Sequence, residues 1–347
     1  MRKCVDKTAV AYALAALLLL VLFAANLFWG SIDIPCGEVV SILTGGECSR
    51  DVWRVVVLET RLPQALTALL AGASISVAGM LLQTLFRNPL AGPEVLGVNS
   101  GAGLGVALVI LLAGGVSALG FGGYVAVLGG AFGGALFVMM IILLLATLLR
   151  NNMFLLIAGV AVSYMTSSAI TLLNYFSTAE GVHSYMVWGM GSFGGVTMTQ
   201  IPFFASVTLV LLLLSMVMAK PLNALLLGDA YAVNLGVDVK ATRAVALSVT
   251  GLLTAVVTAF CGPVSFIGLA VPHIARISMR SNDHRHLIPA TIMIGGAVAL
   301  LCNLVCQLPG RSGLLPLGAI TPLIGAPVII YVVMRNRGGK VVCVDKL

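Results

Sequence analysis

The sequence predicts an all-α polytopic membrane protein with about ten transmembrane helices, and three observations lead to this fold class. Hydrophobic residues make up 60% of the 347 residues, charged residues only 9%, and the mean hydropathy is +1.10. A soluble domain carries about a quarter charged residues, so lipid is the better solvent for this surface. Most of the apolar stretches are long enough to cross a bilayer as helices, and they lack the alternation of barrel strands.

Polar, proline or glycine breaks divide the chain, taken as one domain over residues 1–347, into ten predicted spans. The first span is longer than the apolar core of a secretory signal and no small-residue cleavage pattern follows it, so we expect it to be retained. The eighth is short and contains Pro272. The predicted spans are 8–29, 62–82, 95–113, 122–148, 153–175, 199–218, 241–261, 264–279, 287–305 and 319–334.

The distribution of Lys and Arg predicts that both termini are cytoplasmic, because these residues accumulate on the cytoplasmic side of membrane proteins. With the N-terminus inside, 15 of the 19 basic residues fall on the inner side and 4 on the outer side. The outer set is Arg50, Arg54, Arg61 and Arg311, and six acidic residues lie there as well: Asp33, Glu38, Glu47, Asp51, Glu59 and Glu180. The net charge of +7 is thereby assigned to anchoring at the membrane surface, and no nucleic-acid partner is expected.

Other function classes find little support in the pattern. No charged residue lies in the middle of a predicted span, which argues against an ion-driven secondary transporter. No pair of catalytic groups at membrane depth suggests an intramembrane enzyme, so no catalytic residue is assigned. Cys302 and Cys306 lie four residues apart without a nearby His, so no metal site is predicted. Cys36 and Cys48 share one outer loop, where a disulfide between them is permitted.

Three ordered motifs resemble the permease family of ABC importers for iron-siderophores, haem and cobalamin, the FecCD or BtuC type. The first motif contains Arg61-Leu62-Pro63, Gly72-Ala73, Gln83, Asn88-Pro89-Leu90-Ala91, Pro93 and Leu96-Gly97-Val98. The second contains Gly262, Phe266-Ile267-Gly268-Leu269 and Val271-Pro272-His273-Ile274-Ala275-Arg276, and the third contains Leu315-Pro316-Leu317-Gly318, Thr321 and Gly325-Ala326-Pro327. The resemblance extends from about residue 8 to 336, and within it His273 is expected to have a structural role.

An inner segment, 220–238, is predicted to connect this chain to a motor. Leu227–Val237 has the composition of a short amphipathic helix that ends at a glycine and needs a partner. The resemblance implies that it docks on ATP-hydrolysing subunits through Gly228, Asp229, Ala232, Leu235 and Gly236. The chain contains no phosphate-binding Gly-x-x-x-x-Gly-Lys-Ser/Thr motif, so ATP and Mg²⁺ are expected in those partner subunits and no cofactor in this chain.

The resemblance also assigns residues to the substrate route and to the outer mouth. Asn88, Pro89 and Leu90 are expected near the pathway, and Asn151, Asn152 and Met153 at an inner gate. Arg61 and Arg311 are expected to contact an extracytoplasmic binding protein. Four positions depart from the charges of the family pattern, and they are Gln64, Asn303, Gln307 and Leu314.

Together these inferences predict the pore-forming subunit of an importer in the bacterial cytoplasmic membrane. It would pair with a second copy or a homologous permease, with two ATP-binding subunits and with a binding protein. An iron-siderophore or haem is the predicted cargo and cobalamin the alternative within the family, while an ion-driven transporter is the alternative from another class. His284 and His286, which flank Arg285 in an inner loop, are expected to be solvated.

Overall fold

The computed structural model describes residues 2–30, 32–115, 122–149, 152–307 and 315–337, and this part of the chain is helical without strands. The long helices are α1 (Arg2–Phe28), α4 (Leu62–Phe86), α5 (Val98–Ala113), α6 (Gly123–Leu148), α7 (Asn152–Phe176), α9 (Ile201–Val217), α12 (Val239–Cys261), α13 (Ile267–Met279), α14 (His284–Gln307) and α15 (Leu317–Arg337). The short ones are α2 (Cys36–Leu43), α3 (Asp51–Val55), α8 (Ala179–Gly189), α10 (Ala219–Leu227) and α11 (Asp229–Asn234). This architecture confirms the predicted fold class.

Each of the ten predicted spans corresponds to one of the long helices. Six helices of the described chain are long and apolar enough to cross a membrane, and a seventh span results if α9 and α10, which meet at a bend of 49°, are taken together. The three other stretches form the shorter apolar helices α5, α13 and the part of α15 over Leu317–Tyr331. The orientation of the termini stays a prediction.

Helix α4 is the centre of the bundle. It packs against α9, α12, α13 and α14, and nearly all of its side chains are buried. Two glycine pairs permit this close packing: a Cβ atom on Gly72 would collide with the carbonyl oxygen of Gly295, and one on Gly79 with that of Gly268. Backbone contact between small residues is how membrane helices approach closely.

The segment before α4 contains structure that the hydropathy pattern did not predict. Helices α2 and α3 lie between the first two spans, and a π-helical turn, Val56–Arg61, joins α3 to α4 without a break. A small apolar cluster of Ile34, Val39, Ile42 and Val57 holds this region together. We define the outer end of the bundle as the end that carries this segment, and the inner end as the one that carries the connection between α9 and α12.

Helix α13 is short because the chain turns sharply before it. Phe266, directly before the helix, has a left-handed backbone with φ 66°, which is uncommon for a residue with a bulky side chain. A carboxylate oxygen of Glu94, in the 3₁₀ turn Pro93–Leu96, accepts a 2.7 Å hydrogen bond from the Phe266 backbone N–H. The loop between α4 and α5 thereby caps the start of α13.

Candidate functional site: the inner connection and the outer mouth

The inner connection between α9 and α12 consists of two short helices, α10 and α11. Gly228 separates them with φ +121° and ψ 153°, a conformation that a glycine adopts without strain. Helix α11 ends at Leu235, and Gly236 follows with φ +78°, which stops the helix. The predicted segment therefore exists as a helix–turn–helix element between two spans.

Asp229, the first residue of α11, joins this element to two long helices. Its carboxylate oxygens lie 2.6 Å from Nη2 of Arg87 and 2.6 Å from Nη2 of Arg243. Arg87 follows the last residue of α4 in a left-handed conformation, and it also donates a 3.0 Å hydrogen bond to the carbonyl of Leu225. The side chains of Arg87 and Asp229 are 45% exposed and that of Arg243 is 26% exposed, so these are ion pairs at the surface rather than in the core.

Large apolar side chains dominate the exposed surface of α10 and α11. Leu227, Tyr231, Val233 and Leu235 are each 58–66% exposed, whereas Ala232 is completely buried. Of the residues predicted to dock on an ATPase, Leu235 lies on this exposed face. Ala232 faces the bundle, and Asp229 is ion-paired with residues of the bundle. Tyr231 and Val233 were missed because their exposure depends on which side of a short helix the bundle covers. We call Leu227, Tyr231, Val233 and Leu235 the docking face.

His284 makes a second attachment of this element, and the expectation that it is solvated is wrong. It is 1% exposed, with Nδ1 2.7 Å from the Oδ1 of Asn223 on α10 and Nε2 2.8 Å from the Thr84 hydroxyl on α4. The Asn223 amide donates to Asp283, so its Oδ1 accepts from Nδ1–H of His284, and Nε2 contacts the Thr84 hydroxyl, which also donates to the carbonyl of Met80.

Asp283, directly before α14, places a negative charge beside Asn223 and His284. Burial raises the pKa of this carboxyl, but the Arg285 N–H, the Asn223 amide and the charges of His286 and Arg285 outweigh that effect and lower the pKa overall. The carboxyl is therefore ionised at neutral pH and accepts a 2.6 Å hydrogen bond from Asn223.

The predicted signature residues meet beside this element. Arg276 donates a 2.5 Å hydrogen bond to the side-chain oxygen of Gln83, and Gln83 donates to the carbonyl of Leu269. His273, 7% exposed, donates from Nε2 to the carbonyl of Pro89 at 2.8 Å. Three further signature residues shape the backbone: Gly97 has φ +77°, Gly268 contacts α4, and Pro272 lies inside α13. These contacts are structural and tie α13 to the end of α4.

The structure describes only part of the two predicted gates. Leu90 is 48% exposed, and the Asn88 side chain accepts a 2.9 Å hydrogen bond from the Leu90 N–H, which fixes the turn. Met153 is 68% exposed near the start of α7. Asn151 and the side chain of Asn152 lie outside the described residues. The gating role of all these residues stays a prediction.

At the outer mouth, Arg61 is 4% exposed and donates to the carbonyls of Leu27 and Phe28 at 2.9 Å each, and also to that of Ile32. A cation there satisfies carbonyls at the C-terminal end of α1. Its predicted contact with a binding protein stays a prediction, and it would require this side chain to leave three partners. Arg311 lies outside the described residues.

Three positions that depart from the family charges lie together at this mouth. Gln64 donates to Asn303 at 3.0 Å, Gln307 donates to Gln64 at 3.2 Å, and Asn303 donates to Asn26 on α1 at 2.8 Å. All four side chains are 8% exposed or less. We call Asn26, Gln64, Asn303 and Gln307 the amide network, which joins α1, α4 and α14 through neutral groups.

Helix α7 presents an exposed face with a row of hydroxyl groups. Tyr164, Ser168, Thr171 and Tyr175 follow a helical repeat along this face, and the two tyrosines are 72% and 81% exposed. The described residues of α7 include no charged side chain. A polar row on the outside of a membrane helix is typical of a surface that faces another protein or water rather than lipid.

Comparison with known proteins decides the family. The model of the FecCD transport family matches residues 18–335, which is more than half of the chain. The chain belongs to the FecCD transport family. The resemblance found in the three motifs is confirmed, and so is a multi-pass location in the bacterial inner membrane.

Two curated relatives of this FecCD family member are vitamin B12 import system permease proteins called BtuC. The protein of Klebsiella pneumoniae subsp. pneumoniae is 37% identical over 322 residues, covering 93% of this chain and 92% of the relative. That of Escherichia coli O9:H4 is 36% identical over 286 residues, covering 82% and 84%. A solved chain from a transporter assigned to the metal-chelate type of ABC transporter, in an inward-facing conformation, matches with a TM-score of 0.82 and 26% identity, covering 94% of this chain and 99% of that one.

Two other features considered in the sequence of this FecCD family member are the metal-binding side chains and the cysteines. Among the described residues, no group of three or more His, Cys, Asp or Glu side chains is placed to hold a metal ion. Cys36 and Cys48 are free thiols, and Cys48 donates to the carbonyl of Arg50. Glu94 was not singled out from the sequence, because its role depends on α13 starting beside it.

Proposed function

We propose that this chain is the membrane-spanning permease subunit of an ATP-driven importer that moves a metal chelate into the bacterial cytoplasm. The docking face carries the proposal. Four large apolar side chains are exposed on an element that lies between two spans, and Asp229 ties that element to the central helix α4. A motor bound there would act directly on the bundle. The positive charge around it agrees with a cytoplasmic location.

The partners follow from this arrangement. Two ATP-binding subunits would take up the docking faces of a paired permease, and an extracytoplasmic binding protein would deliver cargo at the outer mouth. The hydroxyl row of α7 is proposed to face the second permease and line the route between the two chains. ATP and Mg²⁺ belong to the motor subunits, since this chain has no phosphate-binding motif.

Cobalamin is the first cargo to test, because the two relatives that are 36–37% identical are vitamin B12 permeases. Ferric siderophore and haem are the other candidates. The hydroxyl groups of α7, without charged neighbours on its described residues, suit a bulky cargo that must slide past without being held by an ion pair.

The first experiment is uptake by proteoliposomes that contain this chain, its ATPase and its binding protein. Labelled cobalamin, a ferric siderophore and haem are each supplied with and without internal ATP. We expect ATP-dependent accumulation of one of the three, unaffected when an ionophore collapses the ion gradients. Uptake that stops with the gradient while ATP is maintained would establish an ion-driven transporter instead.

The second experiment tests the docking face. In the double variant V233A/L235A, two exposed apolar side chains are shortened, and each is worth roughly 1.5–3 kcal/mol when fully buried in an interface. We expect ATPase binding to weaken by at least tenfold in a pull-down titration. Asn234→Ala, at the exposed position between them, is the matched control and should bind normally. If V233A/L235A binds the ATPase as tightly as Asn234→Ala does, the docking face is removed from the proposal.

A further inference from the structure

The α10–α11 element is attached to the bundle in two chemically different ways. Helix α10 is held by hydrogen bonds: Asn223 bonds the buried His284, which contacts Thr84, and the carboxylate of Asp283, and the Leu225 carbonyl accepts from Arg87. Helix α11 is held by the charges of Asp229, Arg87 and Arg243 at the surface. Only Gly228 separates the two helices. The element can therefore bend at Gly228 if one attachment moves more easily than the other.

We propose that Asp229 transmits a displacement of α11 to α4 and α12. Arg87 and Arg243 are the positioning residues that couple Asp229 to these two helices. This inference rests on the proposed function, because it assumes that a motor binds the docking face. It adds the route by which that motor moves the membrane helices.

The position of the two arginines supports this route. Arg87 terminates α4, and its guanidinium bridges Asp229 and the last turn of α10, so a displacement of α11 reaches the end of the central helix directly. Arg243 lies in the second turn of α12, which is the span that follows the element. One carboxylate therefore contacts both the central helix and the span that follows the inner connection.

The charges support an unequal division of the roles. Asp229 lies between two cations, so its removal breaks both pairs and leaves two guanidinium groups facing each other. Removal of either arginine leaves one pair intact. Exposed ion pairs are weak enough to break and re-form during a transport cycle. Buried hydrogen bonds are costly to break, because their donors and acceptors are then left unsatisfied.

The experiment measures cargo transported per ATP hydrolysed, in purified complexes of this chain with its ATPase and binding protein. Complex formation by the wild-type chain is checked first, since its failure would overturn the proposed function and not this inference alone. The variants are Asp229→Asn, Arg87→Gln and Arg243→Gln, and Lys240→Gln, an exposed cation at the start of α12, is the matched control.

We expect Asp229→Asn to lower transport per ATP by at least fivefold in complexes that still assemble, and each arginine variant to lower it by about twofold. The triple exchange D229R/R87D/R243D, which rebuilds both pairs with reversed signs, should recover at least half of the loss. Lys240→Gln should match the wild type.

A purely structural role would reduce the yield of complex but leave transport per ATP unchanged in what assembles, and that result for Asp229→Asn would overturn the inference. If Asp229→Asn prevents assembly, Arg87→Gln decides, because it keeps the pair of Asp229 with Arg243. A lower ratio of transport to hydrolysis then supports the inference, and an unchanged ratio overturns it.

Discussion

The two ends of α4 combine neutral and charged attachments differently: buried Arg61 lies beside the amide network at the outer end, and the buried Thr84–His284 bond lies beside exposed ion pairs at the inner end. At the outer end, Gln64 belongs to the amide network, whose side chains are neutral and buried. At the inner end, Arg87 joins a charged group whose side chains are a quarter to a half exposed. A buried amide that loses its partner has nothing to replace it, whereas an exposed ion is hydrated when its pair opens. The comparison teaches that the exposed ion pairs at the inner end open at a lower free-energy cost than the buried amide network at the outer end.

The largest predicted effect comes from disturbing the packing of α4, the helix that connects these ends, against α13. Gly79→Ala places a methyl group against the carbonyl of Gly268, and a backbone atom cannot rotate away. We expect a loss of about 3 kcal/mol or more, since overpacking costs roughly 1–3 kcal/mol even where side chains can adjust. Thermal unfolding in detergent measures it.

Gly133→Ala is the matched control for that variant, because a Cβ atom there meets nothing within 4 Å. Its stability should equal or slightly exceed that of the wild type, since alanine favours a helix. If both variants melt at the same temperature, α4 and α13 are not held in backbone contact.

An intermediate effect is predicted for the outer end. Asn303→Leu removes the centre of the amide network and leaves Gln64 and Asn26 each without one buried partner. We expect a loss of about 2 kcal/mol, since each unsatisfied buried group costs roughly 1–3 kcal/mol and some of this is regained by apolar packing. Denaturant unfolding at low and at high salt should show the same loss, because no charge is involved.

Asn234→Leu, an exposed asparagine on α11, provides the comparison for that measurement and should leave the unfolding free energy nearly unchanged. A loss for Asn303→Leu that disappears at high salt would show that the amide network acts through charge.

The smallest predicted effect is a pH dependence at the inner end. The pKa of Asp283 is lowered in the folded chain, so its contribution to stability is complete above the pKa of the unfolded state and disappears as the pH falls through the lower folded value. Between pH 6 and pH 3 we expect the melting temperature of Asp283→Asn to fall less than that of the wild type. Parallel curves would mean that Asp283 has the same pKa folded and unfolded.

Much of the fold could be predicted because hydropathy alone locates long helices in a membrane. Ten apolar stretches coincide with ten helices, and the three motifs identified the family before any contact was known. Helices α2, α3 and α8 were not predicted, because short helices at a membrane surface have no apolar run of sufficient length.

The site was less predictable, because its residues act through contacts between distant parts of the chain. Ala232 belongs to the predicted docking segment but is buried against the bundle, and Asp229 pairs with Arg87, which is 142 positions away in sequence. His284 looked solvated beside Arg285, but Thr84 and Asn223 enclose it. Arg61 looked like an exposed cation, but the end of α1 covers it. A single sequence contains no record of these pairings.

The hydroxyl row of α7 has a consequence for how the subunit exists before it is assembled. Within this row, Thr171 donates to the carbonyl of Ser167 at 3.0 Å, four residues earlier in its own helix. A hydroxyl that is hydrogen-bonded within its own helix is satisfied in lipid, and it can exchange that bond for one to water when the surface is hydrated. Thr171 can therefore remain in the bilayer before the subunit is assembled, without an unsatisfied hydroxyl group.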